Sequence, residues 1–367
     1  MDYSIEDRLK RLKNRRMDID NTAMVFRGFV EDFDRRTNNQ ATRYALGAMQ
    51  QVDHRSTEIS LEEASRVEKA LNGRMPRRNF WPEFRLQGSV PMNTHIRGAS
   101  DVDLLEILGG TVTISPTGSR AHLYADPVGS DPIVDRVLAM RKATEEELSL
   151  HFHGANVDRS NAKSIQLTGG AFRRKVDVVP SYWHDSNDYQ EYQNEIFRGV
   201  GVVDKNARSA IINYPFLFRH CIDRKGAETN DGAKMAIRLL KNLSEDSERE
   251  RRVSSYDIAG IVYHCPAASI TREVARDLAI LSGISRFLNM LVADRATAET
   301  LVSPDRTRKI FDEPGKWRSF EVLAKNTAQL AREVERELVG PRSLFDRPYE
   351  EVLKQLNDSK IAPVPTF

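Results

Sequence analysis

Cysteine is scarce in this chain of 367 residues. Cys221 and Cys265 are the two cysteines, they lie far apart, and neither has a Cys-x-x-Cys companion. A disulfide framework and a thiolate zinc site are therefore not expected. The sequence also has no run of about 18 apolar residues, so no membrane-spanning helix is expected. The N-terminus carries Asp2 and Glu6 and no apolar core, so we expect no signal peptide and a reducing, cytoplasmic location.

An excess of charge of either sign is also missing. The 55 Lys and Arg residues nearly balance the 53 Asp and Glu residues, and the net charge is +2. Bulk electrostatics then give no reason to expect strong binding to nucleic acid. The run Arg8–Arg16 is basic, but acidic residues flank it. We therefore interpret it as the solvated face of a helix rather than as a nucleic-acid arm.

The sequence has no Walker loop, dinucleotide fingerprint or Gly-x-Ser-x-Gly elbow, but it has a pattern suited to a triphosphate. Gln87-Gly88-Ser89 is predicted at a helix start, where backbone N–H groups reach phosphate oxygens. Asp101 and Asp103 are predicted on one face of a strand, because side chains alternate every two residues. Two such carboxylates repel each other and are kept together for a cation, for which Mg²⁺ is suited. A surface turn is the alternative for an isolated Asp-x-Asp.

A third carboxylate is predicted on another strand. Asp177 is the lone acidic residue in Lys175–Val179, and Pro180 follows. An Asp inside such a strand usually has a partner or a function. Phosphoryl transfer with two metal ions needs a third carboxylate from a neighbouring strand. The segments Ser164–Leu167 and Lys175–Val179 are predicted as paired strands, with Gly169-Gly170 in the turn between them.

These motifs together resemble the DNA polymerase beta superfamily of nucleotidyltransferases. Within it, the chain is similar to the bacterial cyclic-oligonucleotide synthases of anti-phage signalling (CD-NTases of CBASS), which are related to cyclic GMP-AMP synthase and oligoadenylate synthase. Arg97-Gly98-Ala99-Ser100 before the Asp pair and Ser254-Ser255-Tyr256 support the resemblance, which covers most of the chain. The zinc-ribbon insertion of the animal DNA sensor is missing, so we expect activity without added nucleic acid.

The resemblance implies roles for individual residues. Asp101 and Asp103 would bridge two Mg²⁺ ions, for which Mn²⁺ would substitute, and Asp177 would hold the ion that activates the acceptor hydroxyl. Tyr256 would stack on a base. The residues expected to hold the donor nucleotide are Gln87, Gly88, Ser89, Arg238, Lys241 and Ser255. A solvated basic stripe with Lys234 is the alternative for Arg238.

The implied fold is α+β: a polymerase-beta-like nucleotidyltransferase lobe with a mixed sheet, packed on a helical C-terminal lobe, with the active site between them. We predict a catalytic lobe with N-terminal helices over 1–205 and a helical lobe over 206–345. A C-terminal segment with a flexible tail follows over 346–367. Apolar periodicity predicts helices over much of 4–75 and over Phe320–Leu338, and Asp131-Pro132 is predicted to begin a helix that ends near Leu150.

The implied function is the joining of nucleoside triphosphates into a cyclic di- or trinucleotide messenger. A ribose hydroxyl attacks the α-phosphorus and pyrophosphate leaves. ATP is the expected substrate and GTP a second one, and a cyclic-nucleotide-responsive effector acts downstream. We expect a monomer that needs neither membrane nor nucleic acid.

A linear oligoadenylate synthase and a nucleotidyltransferase acting on RNA or protein are alternatives, because their metal chemistry is identical. A catalytically dead nucleotide-binding regulator is disfavoured, because all three carboxylates are present. Bases, linkage, ring size and activating signal are left open.

Overall fold

Two compact units make up the protein. The computed structural model describes residues 3–16, 31–98, 100–125, 132–340 and 347–363. The first unit, here called the sheet unit, comprises Asp53–Met92 and Ala99–His220. The second, the helical unit, comprises Met1–Val52, Asn93–Gly98 and Cys221–Phe367.

The sheet unit is built on a mixed sheet, which has seven strands among the described residues. The strands are β1 (Glu83–Gln87), β2 (Val102–Ile114), β3 (Asn156–Asp158), β4 (Ile165–Thr168), β5 (Val176–Asp185), β6 (Gly199–Asp204) and β7 (Ser209–Asn213). Their order is β1-β2-β5-β4-β3, and β6 pairs with both β5 and β7. The pair β2–β5 is parallel and the other pairs are antiparallel. Mixed strand directions and segregated helices confirm the predicted α+β class.

Helices form most of the other regular structure among the described residues. In chain order they are α1 (Ile5–Arg16), α2 (Asp32–Arg36), α3 (Gln40–Met49), α4 (His54–Arg74), α5 (Ile133–His151), α6 (Asn187–Tyr192), α7 (Pro215–Glu228), α8 (Gly232–Glu245), α9 (Ser255–His264), α10 (Ala267–Ile270), α11 (Leu278–Ala293), α12 (Arg295–Ala298), α13 (Pro314–Val339) and α14 (Tyr349–Asp358). Short 3₁₀ turns occur at Met75–Arg78, Ala121–Leu123, Glu195–Phe197 and Arg249–Arg251. In the part of the chain that is described, every helix is too short or too polar to cross a membrane.

The two faces of the sheet carry different sets of side chains. Even-numbered residues of β2 and β5, such as Leu104 and Val178, are buried in one cluster with Leu71 of α4 and Met140 of α5. Odd-numbered residues of the same strands lie on the other face, because side chains alternate along a strand. A second buried cluster covers that face and comprises Leu105, Ile107, Val179, Trp183, Val200 and Val202. Asp103 and Asp177 are odd-numbered, so they share this second face.

Several predicted elements are confirmed. The segments around Ile165 and Val176 form the antiparallel pair β4–β5, and Gly169 and Gly170 both have positive φ in the turn between them. Helix α5 ends at His151, close to the predicted end at Leu150. The proposed cap, Asp131, lies outside the described residues. Helix α13 contains the predicted stripe but begins earlier, at Pro314, because a proline is tolerated in the first turn.

The grouping of the N-terminal helices differs from the predicted domain boundaries. Residues 1–52 were expected with the catalytic lobe, whereas the described part of this stretch groups with the C-terminal helices in the helical unit. Leu12, Phe33 and Tyr44 are fully buried there. The Tyr44 hydroxyl donates to Asp246 at 2.6 Å. Helix α3, which carries Tyr44, also packs on α8 and α13. Position in the chain therefore did not indicate which unit these helices join.

The basic run of α1 is a second correction, because it is not a solvated face. The side chains of Arg8 and Arg16 are buried, with 1% and 9% of their surface exposed. The ion pairs of this run are Arg8–Glu333, Arg11–Asp246, Lys13–Asp34, Arg15–Asp246 and Arg16–Glu31. Most of the acidic partners are distant in sequence, so periodicity along α1 alone did not reveal them.

The C-terminal segment is a third correction. Ile361 donates its backbone N–H to the Ala275 carbonyl at 2.8 Å. The guanidinium of Arg36 donates to the carbonyls of Ile361 and Ala362. Residues 361–363 are therefore docked on the helical unit rather than forming a flexible tail. The remainder of the predicted tail, residues 364–367, lies outside the described residues.

Candidate active site

Asp103 and Asp177 lie side by side on the parallel strands β2 and β5. The strand register pairs Asp103 directly with Asp177. It also pairs Gln87 of β1 with Asp103, and Gln166 of β4 with Asp177. Directly paired residues point to the same face of a sheet. Asp103 and Asp177 thus occupy the centre of a row that has a glutamine at each side. Asp177 comes from a strand that neighbours β2, as predicted.

Asp101 does not share the strand with Asp103. Strand β2 begins at Val102, and Asp101 lies exposed in the chain that leads into it. The prediction of two aspartates on one strand face is therefore wrong in this detail. Asp101 is nevertheless close enough to the other two for its charge to raise the pKa of Asp103 and that of Asp177.

The negative charges of the three carboxylates act on one another. Burial, followed by the charges of Asp177 and Asp101, raises the pKa of Asp103 to about 7. Burial also raises the pKa of Asp177, against the opposing effect of a hydrogen bond from Gln166. The positive charge of Lys175 also opposes the rise in the pKa of Asp177. Carboxylates of like charge that lie close together in a partly buried place form an environment that favours a bound cation.

The donor set fits a divalent cation in chemistry. Carboxylate oxygens are the protein ligands of Mg²⁺, which usually takes one or two of them and completes its shell with water and substrate phosphate. Across the described ranges, no three His, Cys, Asp or Glu side chains already converge around one point. Asp101, Asp103 and Asp177 are the residues that would hold the ions.

Gly88 follows β1 in a turn and packs against Asp103. The prediction of a helix start here is wrong, since Gln87 ends β1 and Gly88-Ser89 continue in turn conformation. Gly88 has φ of +85°, and a β-carbon at this position would lie 2.4 Å from Asp103 Oδ2. Glycine is therefore required for two reasons, its left-handed backbone and the close approach of the carboxylate. Ser89 is half-buried in the same turn.

Lys241 is a buried amine on α8 of the helical unit. Its side chain is 7% exposed, and Nζ donates to the Thr94 carbonyl at 2.8 Å. Burial lowers the pKa of Lys241 to about 8, with Glu245 acting in the opposite direction. An ammonium has three donors, and this bond occupies one of them. The remaining donors leave Lys241 compatible with the predicted contact to phosphate.

Arg238 has a structural environment instead of the predicted phosphate contact. Its guanidinium is buried, with 2% exposed. It donates to the carbonyls of Met49 and Asn93 and to Asp231, at 2.7–3.0 Å. Neither the predicted nucleotide contact nor the solvated stripe describes this residue. Its N–H groups stabilise the helical unit, because they bind backbone carbonyls that are distant in sequence instead of a phosphate.

Arg238 and Lys241 both hold the segment Asn93–Gly98. Beyond their bonds to Asn93 and Thr94, the Gly98 N–H donates to the Arg15 carbonyl at 2.9 Å. This segment belongs to the helical unit although it connects Gly88-Ser89 with Asp101 in the chain. The sequence contained no local signal for these anchoring bonds.

Tyr256 is the second residue of α9 and is held at its hydroxyl. The hydroxyl lies 2.7 Å from both carboxylate oxygens of Asp305. The Arg308 guanidinium carbon lies 4.8 Å from the ring centroid and covers one face of the ring. Sequence reasoning missed both Asp305 and Arg308. The turn-prone segment around Pro304 was the one signal that a loop folds there. Ser255 is exposed at the first position of α9.

A cavity of about 230 Å³ lies in the helical unit beside the start of α9. Its lining comprises Glu250, Arg252, Val253, Ser254, Asp257, Ile310, Phe311, Glu313, Gly315, Lys316 and Ser319. Three acidic side chains face two basic ones, and Lys316 is paired with Asp257 and Asp312. This charge balance does not favour a triphosphate, so the cavity is not assigned to the donor nucleotide.

Comparison with known proteins identifies the family. Residues 220–332 match the cGAS/DncV-like nucleotidyltransferase C-terminal helical domain. The cyclic dinucleotide synthase CdnE of Yersinia aleksiciae is 39% identical over 326 residues, which is 88% of this chain and 84% of that protein. The STING-associated CdnE c-di-GMP synthase structure from Capnocytophaga granulosa matches with a TM-score of 0.73 and 24% identity, over 91% of this chain and all of that chain. Another, from Flavobacteriaceae sp., matches with a TM-score of 0.74 and 20% identity, over 90% and 98%.

Sequence and fold agree on one assignment. The Yersinia relative is similar across both units, and the two structures share the fold over nine-tenths of the chain. The resemblance inferred from Gly88-Ser89, the Asp pair and Asp177 is confirmed at the level of the family. The chain belongs to the bacterial CD-NTases, the cGAS/DncV-like nucleotidyltransferases.

Proposed function

We propose that this nucleotidyltransferase joins nucleoside triphosphates into a cyclic oligonucleotide, with a cyclic dinucleotide as the expected product. The observation that carries the chemistry is the pairing of Asp103 with Asp177 on adjacent parallel strands, with Gly88 packed against Asp103. The cyclic product is supported by the 39% identity to a cyclic dinucleotide synthase.

The chain's own residues take distinct roles in this proposal. Asp101, Asp103 and Asp177 would hold two Mg²⁺ ions, for which Mn²⁺ would substitute. When bound, such ions neutralise the triphosphate and make the acceptor hydroxyl more acidic. Gly88 and Ser89 offer backbone and hydroxyl donors to the donor triphosphate, as the free donors of Lys241 do. Each transfer forms a bond between a ribose oxygen and the α-phosphorus and releases pyrophosphate.

Base recognition is proposed for Tyr256 and phosphate contact for Ser255. Arg308 covers one face of the Tyr256 ring, so a base would stack on the opposite face. We propose ATP as one substrate and GTP as a second. The cyclic product would act as a diffusible messenger for a downstream effector in anti-phage defence.

Product analysis tests this function. Purified protein is incubated with each labelled nucleoside triphosphate, singly and in pairs, with Mg²⁺. A cyclic product has no terminal phosphate, so it survives phosphatase, and mass spectrometry gives its composition. The Asp103→Asn variant serves as the inactive control.

Other results would indicate a different reaction of the nucleotidyltransferase superfamily. A phosphatase-sensitive ladder would show a linear oligonucleotide synthase. Transfer of label to added RNA or protein would show a modifying enzyme. The absence of pyrophosphate release with every nucleotide pair would contradict the enzymatic role.

A further inference from the structure

A glutamine on strand β4 contacts the third carboxylate of the candidate site. Gln166 and Asp177 are directly paired in the antiparallel strands β4 and β5. The side-chain Nε2 of Gln166 lies 3.2 Å from Asp177 Oδ1. The carboxylate can only accept, so the amide nitrogen is the donor.

We propose that Gln166 is a positioning residue that orients the Asp177 carboxylate for its role in the active site. The bond holds Oδ1 on the side of β4 and so fixes the rotation of the carboxylate. Asp177 stands beside Asp103, whose charge acts against any arrangement that brings the two carboxylates together. Loss of the Gln166 donor would allow more rotation about the terminal bond of Asp177, which would relieve this repulsion. The inference rests on the proposed function, because it takes Asp177 as a metal-binding residue.

An amide is chemically suited to this position. A lysine or arginine at 166 would form an ion pair with Asp177 and neutralise the charge that a divalent cation needs. A glutamate would add a fourth negative charge to the group. A neutral donor orients the carboxylate and preserves its charge, which is how hydrogen bonds around a metal ligand usually act.

The supporting strand is itself held in place. Arg141 on α5 is buried and donates to the carbonyls of Asn161, Ala162 and Ser164, which precede β4. The Ser164 side chain also contributes a hydrogen bond to Asp177. The chain that leads into β4 is therefore fixed by hydrogen bonds. This helps to hold Gln166 in its register position opposite Asp177.

The test compares Gln166→Met with Thr168→Val. Methionine keeps the length of glutamine but removes the amide. Thr168 lies two residues along β4 on the same face and is half-buried like Gln166, so it controls for disturbance of the strand. Four quantities are measured: Mn²⁺ binding to the nucleotide-free protein by electron paramagnetic resonance, donor nucleotide affinity, single-turnover rate and thermal unfolding.

We expect Gln166→Met to weaken Mn²⁺ binding and to slow the single-turnover rate by about 10-fold or more, the usual cost of losing a hydrogen bond to a metal ligand. Donor nucleotide affinity in the absence of metal and the melting temperature should match those of Thr168→Val. In an Asp177→Asn background, Gln166→Met should have no further effect on Mn²⁺ binding, because the two residues act as one unit.

Three results would overturn the inference. One is unchanged Mn²⁺ binding in Gln166→Met. Another is a loss that Thr168→Val reproduces. The third is additive losses with Asp177→Asn. If wild-type protein binds no Mn²⁺ and Asp177→Asn changes nothing, the metal site fails and the positioning role fails with it. If Mn²⁺ binding behaves as expected but the product is linear, the proposed product is wrong and the role of Gln166 stands.

Discussion

Asp103 on β2 and Asp177 on β5 are paired residues of two parallel strands, so two carboxylates from distant parts of the chain lie next to each other. Burial raises the pKa of both, the charge of Asp177 adds to the rise at Asp103, and the charge of Asp101 adds to the rise at each. The native fold therefore stabilises the protonated form of Asp103 more than water stabilises that of an exposed aspartate. A bound cation would favour the charged form instead.

Asp103→Asn should abolish turnover while preserving the fold. The substitution removes one charge from the carboxylates proposed to bind the metal ions, and we expect the rate to fall more than 100-fold, since loss of metal binding costs several kcal/mol of barrier. The melting temperature should stay the same or rise slightly, because a repulsive charge is removed. Pyrophosphate release and thermal unfolding are the measurements. Residual synthesis within about tenfold of wild type would count against Asp103 as a ligand.

Gly88→Ala should inactivate the enzyme through Asp103. A methyl group here would lie 2.4 Å from the Asp103 carboxylate, in addition to the backbone strain at φ of +85°. Gly110→Ala is the matched control, because Gly110 also has positive φ, of +68°, but an added methyl meets no atom within 4 Å. Both variants should lose about 1–2 kcal/mol of stability from the backbone. Activity should fall strongly in Gly88→Ala alone, and equal activity in the two would show that the close approach to Asp103 is unimportant.

Glu106→Gln should be more stable than wild type at neutral and alkaline pH. Glu106 is fully buried on β2, Thr144 donates to its Oε1, and burial raises its pKa to about 8. The folded state thus prefers the neutral acid, so this group's stabilising contribution is complete below pH 4.5 and is lost as pH rises through about 8. The free energy of unfolding of wild type, relative to the variant, should fall by about 1.4 kcal/mol per pH unit in that window. Denaturant unfolding at several pH values measures it, and a difference that does not vary with pH would contradict a buried neutral Glu106.

Tyr256→Phe should lower the free energy of unfolding. If the only role of Tyr256 were to stack its ring on a base, this substitution would leave the stability unchanged. The hydroxyl donates to the buried Asp305 carboxylate, and its removal leaves that carboxylate with one donor fewer. We expect a loss of about 1–3 kcal/mol in the free energy of unfolding. Tyr192→Phe is the control, because Tyr192 is largely exposed. Nucleotide affinity should fall further in Tyr256→Ala, by about 1–3 kcal/mol, if the ring stacks on a base. Equal affinity in the Phe and Ala variants would exclude stacking.

Synthesis should not require DNA or RNA. The arginines of α1 that a nucleic acid would need are already engaged with acidic residues of the helical unit. Product yield is compared with and without double-stranded DNA or RNA, using nuclease-treated enzyme at two salt concentrations. A large stimulation that falls steeply with salt would contradict this prediction, since such a dependence marks phosphate contacts.

The sequence by itself determined the family and the α+β class and selected three aspartates as candidates, because these depend on local patterns. A glycine-serine pair, an Asp-x-Asp before an apolar run and a lone Asp in a β-branched strand are visible without any long-range contact. The tertiary structure alone decided what surrounds these residues. It assigned Arg238 to carbonyls of Met49 and Asn93, gave Tyr256 its Asp305 partner and placed Gln166 beside Asp177. Strand register and helix packing create these contacts between residues far apart in the chain, and a buried hydrogen bond or charge leaves no periodic signal in the sequence around it.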